Sequence, residues 1–109
     1  MEDRTLTFAK DVISFINAVP KTIANIEMMK QVVRSSGSVG ANYIEANEAL
    51  GKKDFAMRIR ICRKEAKESW YWLELIEVNT EESQRKKQSL ANEATQLMKI
   101  FGAILEKVR

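Results

Sequence analysis

The chain has 109 residues, 45% hydrophobic and 30% charged, with a net charge of +3. That balance excludes a disordered polyelectrolyte, and no apolar run approaches the ~18 residues that a membrane span needs. With no histidine and a single cysteine, a His-ligated metal site, His general-base catalysis and an intrachain disulfide are all excluded.

The length predicts one domain over residues 1–109. A core this small leaves much surface uncovered, so the chain gains from pairing with copies of itself. Met1-Glu2-Asp3-Arg4 is not followed by an apolar stretch. No secretory signal is expected, and the protein is expected to be cytoplasmic. Few glycines and one proline suit long helices.

The first helix is predicted from Thr5 to Ala18. Phe8, Val12, Phe15 and Val19 repeat at steps of four and three, with Ile16 widening the stripe. Pro20 stops it, because the residue before a proline leaves the helical region. Thr22 is the expected N-cap of a second helix over Ile23–Ala49. Its expected core stripe is Ile26, Met29, Val33, Ser36, Gly40, Tyr43, Asn47 and Leu50. The middle, Ser35 to Ala41, is rich in Ser and Gly, and two shorter helices joined by a loop are the competing reading. One continuous helix is preferred, since small residues let another backbone approach and the apolar period runs across them.

The third helix starts after Gly51, with Asp54 in its first turn facing the positive end of the helix dipole. Phe55, Ile59, Cys62, Ala66, Ser69, Leu73 and Ile76 form one seam sustained for about six turns. Cys62 on that seam reads as a small apolar residue. Asn79-Thr80 breaks the chain after Val78. Glu81 and Glu82 open the fourth helix, where Leu90, Ala94, Leu97, Phe101, Ile104 and Val108 repeat the spacing. Four amphipathic helices joined by short loops predict an all-α, antiparallel up-down-up-down bundle.

Three surfaces can carry function. With Cys62 inward, Arg60, Arg63, Lys64, Lys67 and Tyr71 share the far side of helix three. Lys52 to Lys67 holds seven basic and two acidic residues. Arg85, Lys86 and Lys87 add a second basic run. A basic stripe with an aromatic fits phosphate contact and base stacking. A solvated outer face is the simpler reading from residues alone. A flank of helix three carries a second apolar strip of Met57, Ile61, Trp72 and Leu75, interrupted by Glu65 and Glu68. It is expected to cover another helix or subunit, whereas Trp70 on the opposite flank is expected to widen the core. Gln31, Arg34, Ser38, Asn42 and Glu45 form a polar line on helix two, expected to meet Glu65, Glu68 and Ser69. Glu45 with Glu68 is the only pair offering acid/base chemistry. No Gly-rich phosphate loop is present, and no catalytic, metal or cofactor residue is predicted.

The run Gln31-x-x-Arg34-Ser35-x-x-Ser38-Val39-x-x-Asn42-x-x-Glu45 resembles the signature of the 23S rRNA intervening-sequence protein family. Lys53-Asp54-Phe55, Lys64-Glu65-Ala66-Lys67-Glu68-Ser69 and Trp72-Leu73 resemble its second block. The family usually has Gly after the Glu, where this chain has Ala46, which favours continuation of helix two. The resemblance implies a left-handed four-helix bundle assembling into a homo-oligomer, a pentameric ring in known bacterial members. Members lie in reading frames inserted in bacterial large-subunit rRNA genes. A retroelement accessory protein of similar fold works with a reverse transcriptase and nucleic acid. Carried onto this chain, Arg34, Ser38, Asn42, Glu45, Glu65, Glu68 and Ser69 are signature positions, expected to be structural or interfacial.

The resulting expectation is a non-enzymatic, self-associating bundle that binds RNA or a nucleoprotein complex through Arg60, Arg63, Lys64, Lys67, Tyr71 and Arg85 to Lys87. Arg34, Asn42, Glu45, Met57, Ile61, Glu65, Glu68, Trp72 and Leu75 are its expected interface. No cofactor, membrane or small-molecule substrate is expected. The alternative is a protein–protein interaction module with no nucleic-acid role.

Overall fold

The structure, a computed structural model, describes residues 1–108. Four helices form: α1 (Glu2–Ile16), α2 (Ile23–Asn47), α3 (Lys52–Leu75) and α4 (Glu81–Lys107). Their starts are chemically marked. Glu2 and Asp3 occupy the first turn of α1, and Glu81 and Glu82 that of α4, where carboxylates offset the dipole. Thr22 Oγ1 accepts the Asn25 N–H at 3.1 Å, and Thr80 Oγ1 accepts that of Ser83 at 3.0 Å.

The helix pairs run antiparallel. Asn25 meets Glu77, Ser35 meets Ser69, Cys62 meets Val39 and Arg58 meets Asn42, so α2 ascends as α3 descends. Arg4 of α1 forks onto both carboxylate oxygens of Glu93 of α4 at 2.7 and 2.8 Å. Each helix packs on its neighbours in the chain, and α1 closes onto α4. The pairs α1–α3 and α2–α4 face each other diagonally. The rod measures 46 × 20 × 19 Å.

Of the predicted α3 seam, Ile59, Cys62, Ala66, Ser69, Leu73 and Ile76 are buried, and Phe55 at its start is partly buried against the core. Phe8, Val12, Phe15 and Val19 meet it from α1, and Leu97 and Phe101 from α4. Helix ends differ slightly. α1 begins at Glu2, not Thr5, because the N-terminal carboxylates already favour the first turn; it ends at Ile16. α2 stops at Asn47, two residues early, and α3 at Leu75, with Ile76 extended.

The larger correction concerns α2. It is one continuous helix through Ser35–Ala41, but its core face is Asn25, Val32, Ser35, Ser36, Val39 and Ala46. Ile26 and Val33 lie outside, and Leu50 is fully exposed. Small polar groups can be buried here because each is bonded. The Ser36 hydroxyl donates back to the carbonyl of Val33, and that of Ser35 bonds Ser69 Oγ at 2.8 Å. Asn25, 2% exposed, donates from Nδ2 to Pro20 O (2.9 Å) and Glu77 O (2.8 Å) while Oδ1 accepts the Glu77 N–H (3.0 Å). One carboxamide therefore ties the loop before α2 to the loop after α3. Trp70 is a second correction. At 38% exposure it borders the α3–α4 groove instead of widening the core.

Two glycines of α2 differ in their surroundings. A Cβ on Gly37 meets nothing within 4 Å, whereas one on Gly40 lies 3.1 Å from Thr5 Oγ1 and 3.4 Å from Thr5 Cβ. In denaturant unfolding of the protein, Gly37→Ala is expected to stabilise by up to about 1 kcal/mol through helix propensity. Gly40→Ala should fall short of that gain or destabilise, as α1 is pushed outward. Asn25→Ala, which orphans buried groups of both loops, should cost about 1–3 kcal/mol.

Candidate nucleic-acid interface and self-association faces

Arg60, Arg63, Lys64, Lys67 and Tyr71 are all exposed on α3. The four cations line a shallow trough whose other wall is Met98 of α4. The Arg63 stem lies over Gly102, its Cδ 3.9 Å from where a Cβ would stand. Lys64 reaches Glu65 at only 3.9 Å, and Arg60, Arg63 and Lys67 have no ion pair among the described residues. Helical spacing explains this: Glu65 and Glu68 turn toward α2, away from α4.

The second basic run does not join this trough. Three consecutive residues sweep about 200° of a helix, so they cannot share one side. Lys87 Nζ donates to Ile76 O at 2.7 Å and Glu74 O at 3.3 Å, capping the C-terminal end of α3. Its ammonium is thus engaged within the fold, apart from the trough. Lys86 pairs with Glu82 at 3.3 Å and borders a crevice with Asp11 and Ser14, on the α1 side. Arg85 is exposed.

The expected interface residues lie along the α2–α3 face. Asn42 Nδ2 donates to Ser38 O (2.9 Å) and Ser38 Oγ (3.0 Å), and Asn42 Oδ1 accepts from Arg58 (3.1 Å). Ile61 and Trp72 are half-buried; Met57, Leu75, Arg34 and Glu45 are exposed. Tyr71 meets Trp72 edge-on, with ring centres 5.2 Å apart. Glu65 and Glu68 are half-buried between these groups. Burial, and then the charge of Glu68, hold the Glu65 carboxyl above its ordinary value against the pull of Lys64 and Arg34. Glu45 and Glu68 are not brought together. Ser35 faces Ser69, so Glu45 lies ten residues, about 15 Å along α2, from that level. Burial pushes the Cys62 thiol up to about 12, and it donates to Val39 O at 3.4 Å, as a packed, unreactive thiol does.

One surface was not anticipated. Leu6 (51%) and Ile13 (50%) of α1 and Ile44 (51%) of α2 are half-exposed, together with Ile26 and Val33. Ile16, Ile26, Met29 and Val33 line one open groove flanked by Lys21 and Lys30. Helical spacing places these residues along the outer α1–α2 seam. Among the described residues no cluster of metal-ligating side chains exists, and no helix is long and apolar enough to cross a membrane.

A family model described as 23S rRNA-intervening sequence protein matches residues 2–103. The chain belongs to that family. A crystal structure of a protein of unknown function from the S23 ribosomal protein family of Bacteroides thetaiotaomicron is similar at 34% identity. The match has a TM-score of 0.82 and covers 95% of this chain and 96% of that one. The comparison with curated proteins returned no match. Neither match carries an enzymatic activity in its description.

Several positions of the family signature lie in the α2–α3 seam. Ser69 Oγ donates to Glu65 O at 2.9 Å and accepts from Ser35 Oγ at 2.8 Å. Glu65 supplies the pH-dependent member. Its raised value means the folded state holds the proton more tightly than the unfolded chain. Its contribution is complete below the ordinary carboxylate value and is lost as pH rises through the folded one. Glu65→Gln is therefore expected to melt higher than the parent at pH 7. The difference should vanish below about pH 4, where the Glu65 carboxyl is protonated in the folded and the unfolded chain alike.

Proposed function

We propose that this protein is a self-associating helical scaffold that holds RNA or a ribonucleoprotein on the basic face of α3. One observation supports it: the two unusual surfaces are segregated. The aliphatic groove lies on the α1–α2 side, and the cationic trough on the α3–α4 side, across the bundle. An assembly closed through the aliphatic side leaves the cations facing solvent. A second copy offers a complementary strip on its α2–α3 face, where Met57, Ile61, Trp72 and Leu75 neighbour Glu65 and Glu68. Apolar surface flanked by Lys21 and Lys30 would meet apolar surface flanked by carboxylates. Such a head-to-tail contact can close into a ring, including the ring of five that the family resemblance implies. In this reading the protein acts in the cytoplasm without catalysing a reaction.

A second reading keeps only the aliphatic face. The protein is then an interaction module, and its cations serve solubility. Light scattering on the purified protein, with and without a mixed RNA pool, separates the two. The scaffold gains mass with RNA at low salt and releases it at moderate salt. Charge reversal of Arg60, Arg63 and Lys67 should abolish that gain and flatten the salt dependence by about two units. Val33→Asp and Trp72→Ala should each lower the oligomer mass. Salt-independent indifference to RNA, with dissociation by the same two variants, would establish the interaction module instead.

A further inference from the structure

The cationic trough opens at one end into a slot of different chemistry. The slot lies between α3 and α4 and is lined by Lys67, Trp70, Thr95 and Met98. Lys67 and Met98 also line the trough, so the two are continuous. Arg60 and Lys67 stand about 10 Å apart along the helix, with Arg63 between them. Trp70 follows on the next turn. Its ring is part-exposed, while the neighbouring Tyr71 ring is engaged edge-on by Trp72.

Resting on the RNA-binding reading above, we infer that this groove takes single-stranded RNA, with phosphates on Arg60, Arg63 and Lys67 and one unpaired base in the Trp70 slot. The arrangement matches the two halves of a nucleotide. Cations with no carboxylate partner among the described residues suit a phosphodiester, and their charge excludes a basic peptide. An indole beside a thioether and a threonine methyl suits the flat apolar face of a base. A duplex cannot fill the slot. Its bases are stacked and paired, and an A-form helix presents phosphates, 2′-hydroxyls and base edges to a convex surface, but no base face. The basic stripe alone would bind both forms through charge. The slot adds a term that only an unpaired base collects.

Lys67 lines both parts. Gly102 lies under the Arg63 stem, with Arg63 Cδ 3.9 Å from where a Cβ would stand, an ordinary van der Waals distance.

The test measures binding of one fluorescein-labelled mixed-sequence RNA to the full protein, single-stranded and annealed to its complement. Inorganic polyphosphate serves as a base-free competitor. Trp70→Leu keeps the apolar wall but removes the aromatic face, and its melting curve checks that it folds. The single strand should bind more tightly than the duplex. Trp70→Leu should weaken the single strand about five- to a hundredfold, leave duplex binding unchanged and leave the salt slope unchanged. Arg63→Gln should lower the slope by about 0.7 for the single strand. Equal affinity for both forms, indifferent to Trp70→Leu, would overturn the slot while leaving the basic face as an RNA surface. Full competition by polyphosphate at equal charge would overturn it likewise. No salt-dependent binding to either form would remove the scaffold reading along with it.

Discussion

The register of α2 against α3 is the constraint on which the other helices depend. Two buried polar contacts set it. Ser35 and Ser69 share a hydrogen bond in mid-seam, and Asn25 grips both strands of chain at one end. A slide by one residue would break both and bury unpaired donors, at a cost far above that of losing one methyl contact. α1 then packs on α2, and α4 on α3, so each outer helix inherits its position from the central pair. Small side chains are required in this seam because hydroxyls and an amide, not branched aliphatics, do the locating.

That choice has a consequence on the outside. α2 gives its inward face to Asn, Ser, Val and Ala, so Ile26 and Val33 are left to the outer surface. The aliphatic groove is therefore the counterpart of the polar seam on the same helix. On α3 the same logic separates charges. Glu65 turns toward α2, where Arg34 partly offsets its burial, and the cations of the trough turn toward α4. Two surfaces of opposite character thus arise from the phases of two helices.

The fold was readable because α1, α3 and α4 each carry one aliphatic stripe at steps of four and three, and because Thr22 and Thr80 mark helix starts. α2 was readable as a helix but not in its phase. It carries two candidate stripes, and hydrophobicity alone assigns the more apolar one to the core. Nothing in composition says that Asn25 will find three partners in two distant loops. The cations of α3 were legible as one face, since they fall on a single arc of the helix. Lys87 was not, because its carbonyl partners come from another helix. Trp70 was assigned to the core for being large and aromatic, yet it sits where the α3–α4 groove opens. In each case the missing information was a contact between segments remote in sequence.

α1 is the shortest of the four helices and touches α4 lightly, along open crevices lined by Asp11, Ser14, Ser89 and Glu93. Its remaining hold is α2, through the close approach at Gly40 and the inward phenylalanines. Local opening of the protomer should therefore begin with α1, leaving a three-helix remainder. The aliphatic groove spans the α1–α2 seam, the hold that α1 depends on. A neighbouring copy seated there would clamp α1 to α2 from outside, so amide protection along α1 becomes a function of protein concentration. In the proposed assembly, the contact between copies would thus add to the hold on the one helix that the protomer holds least.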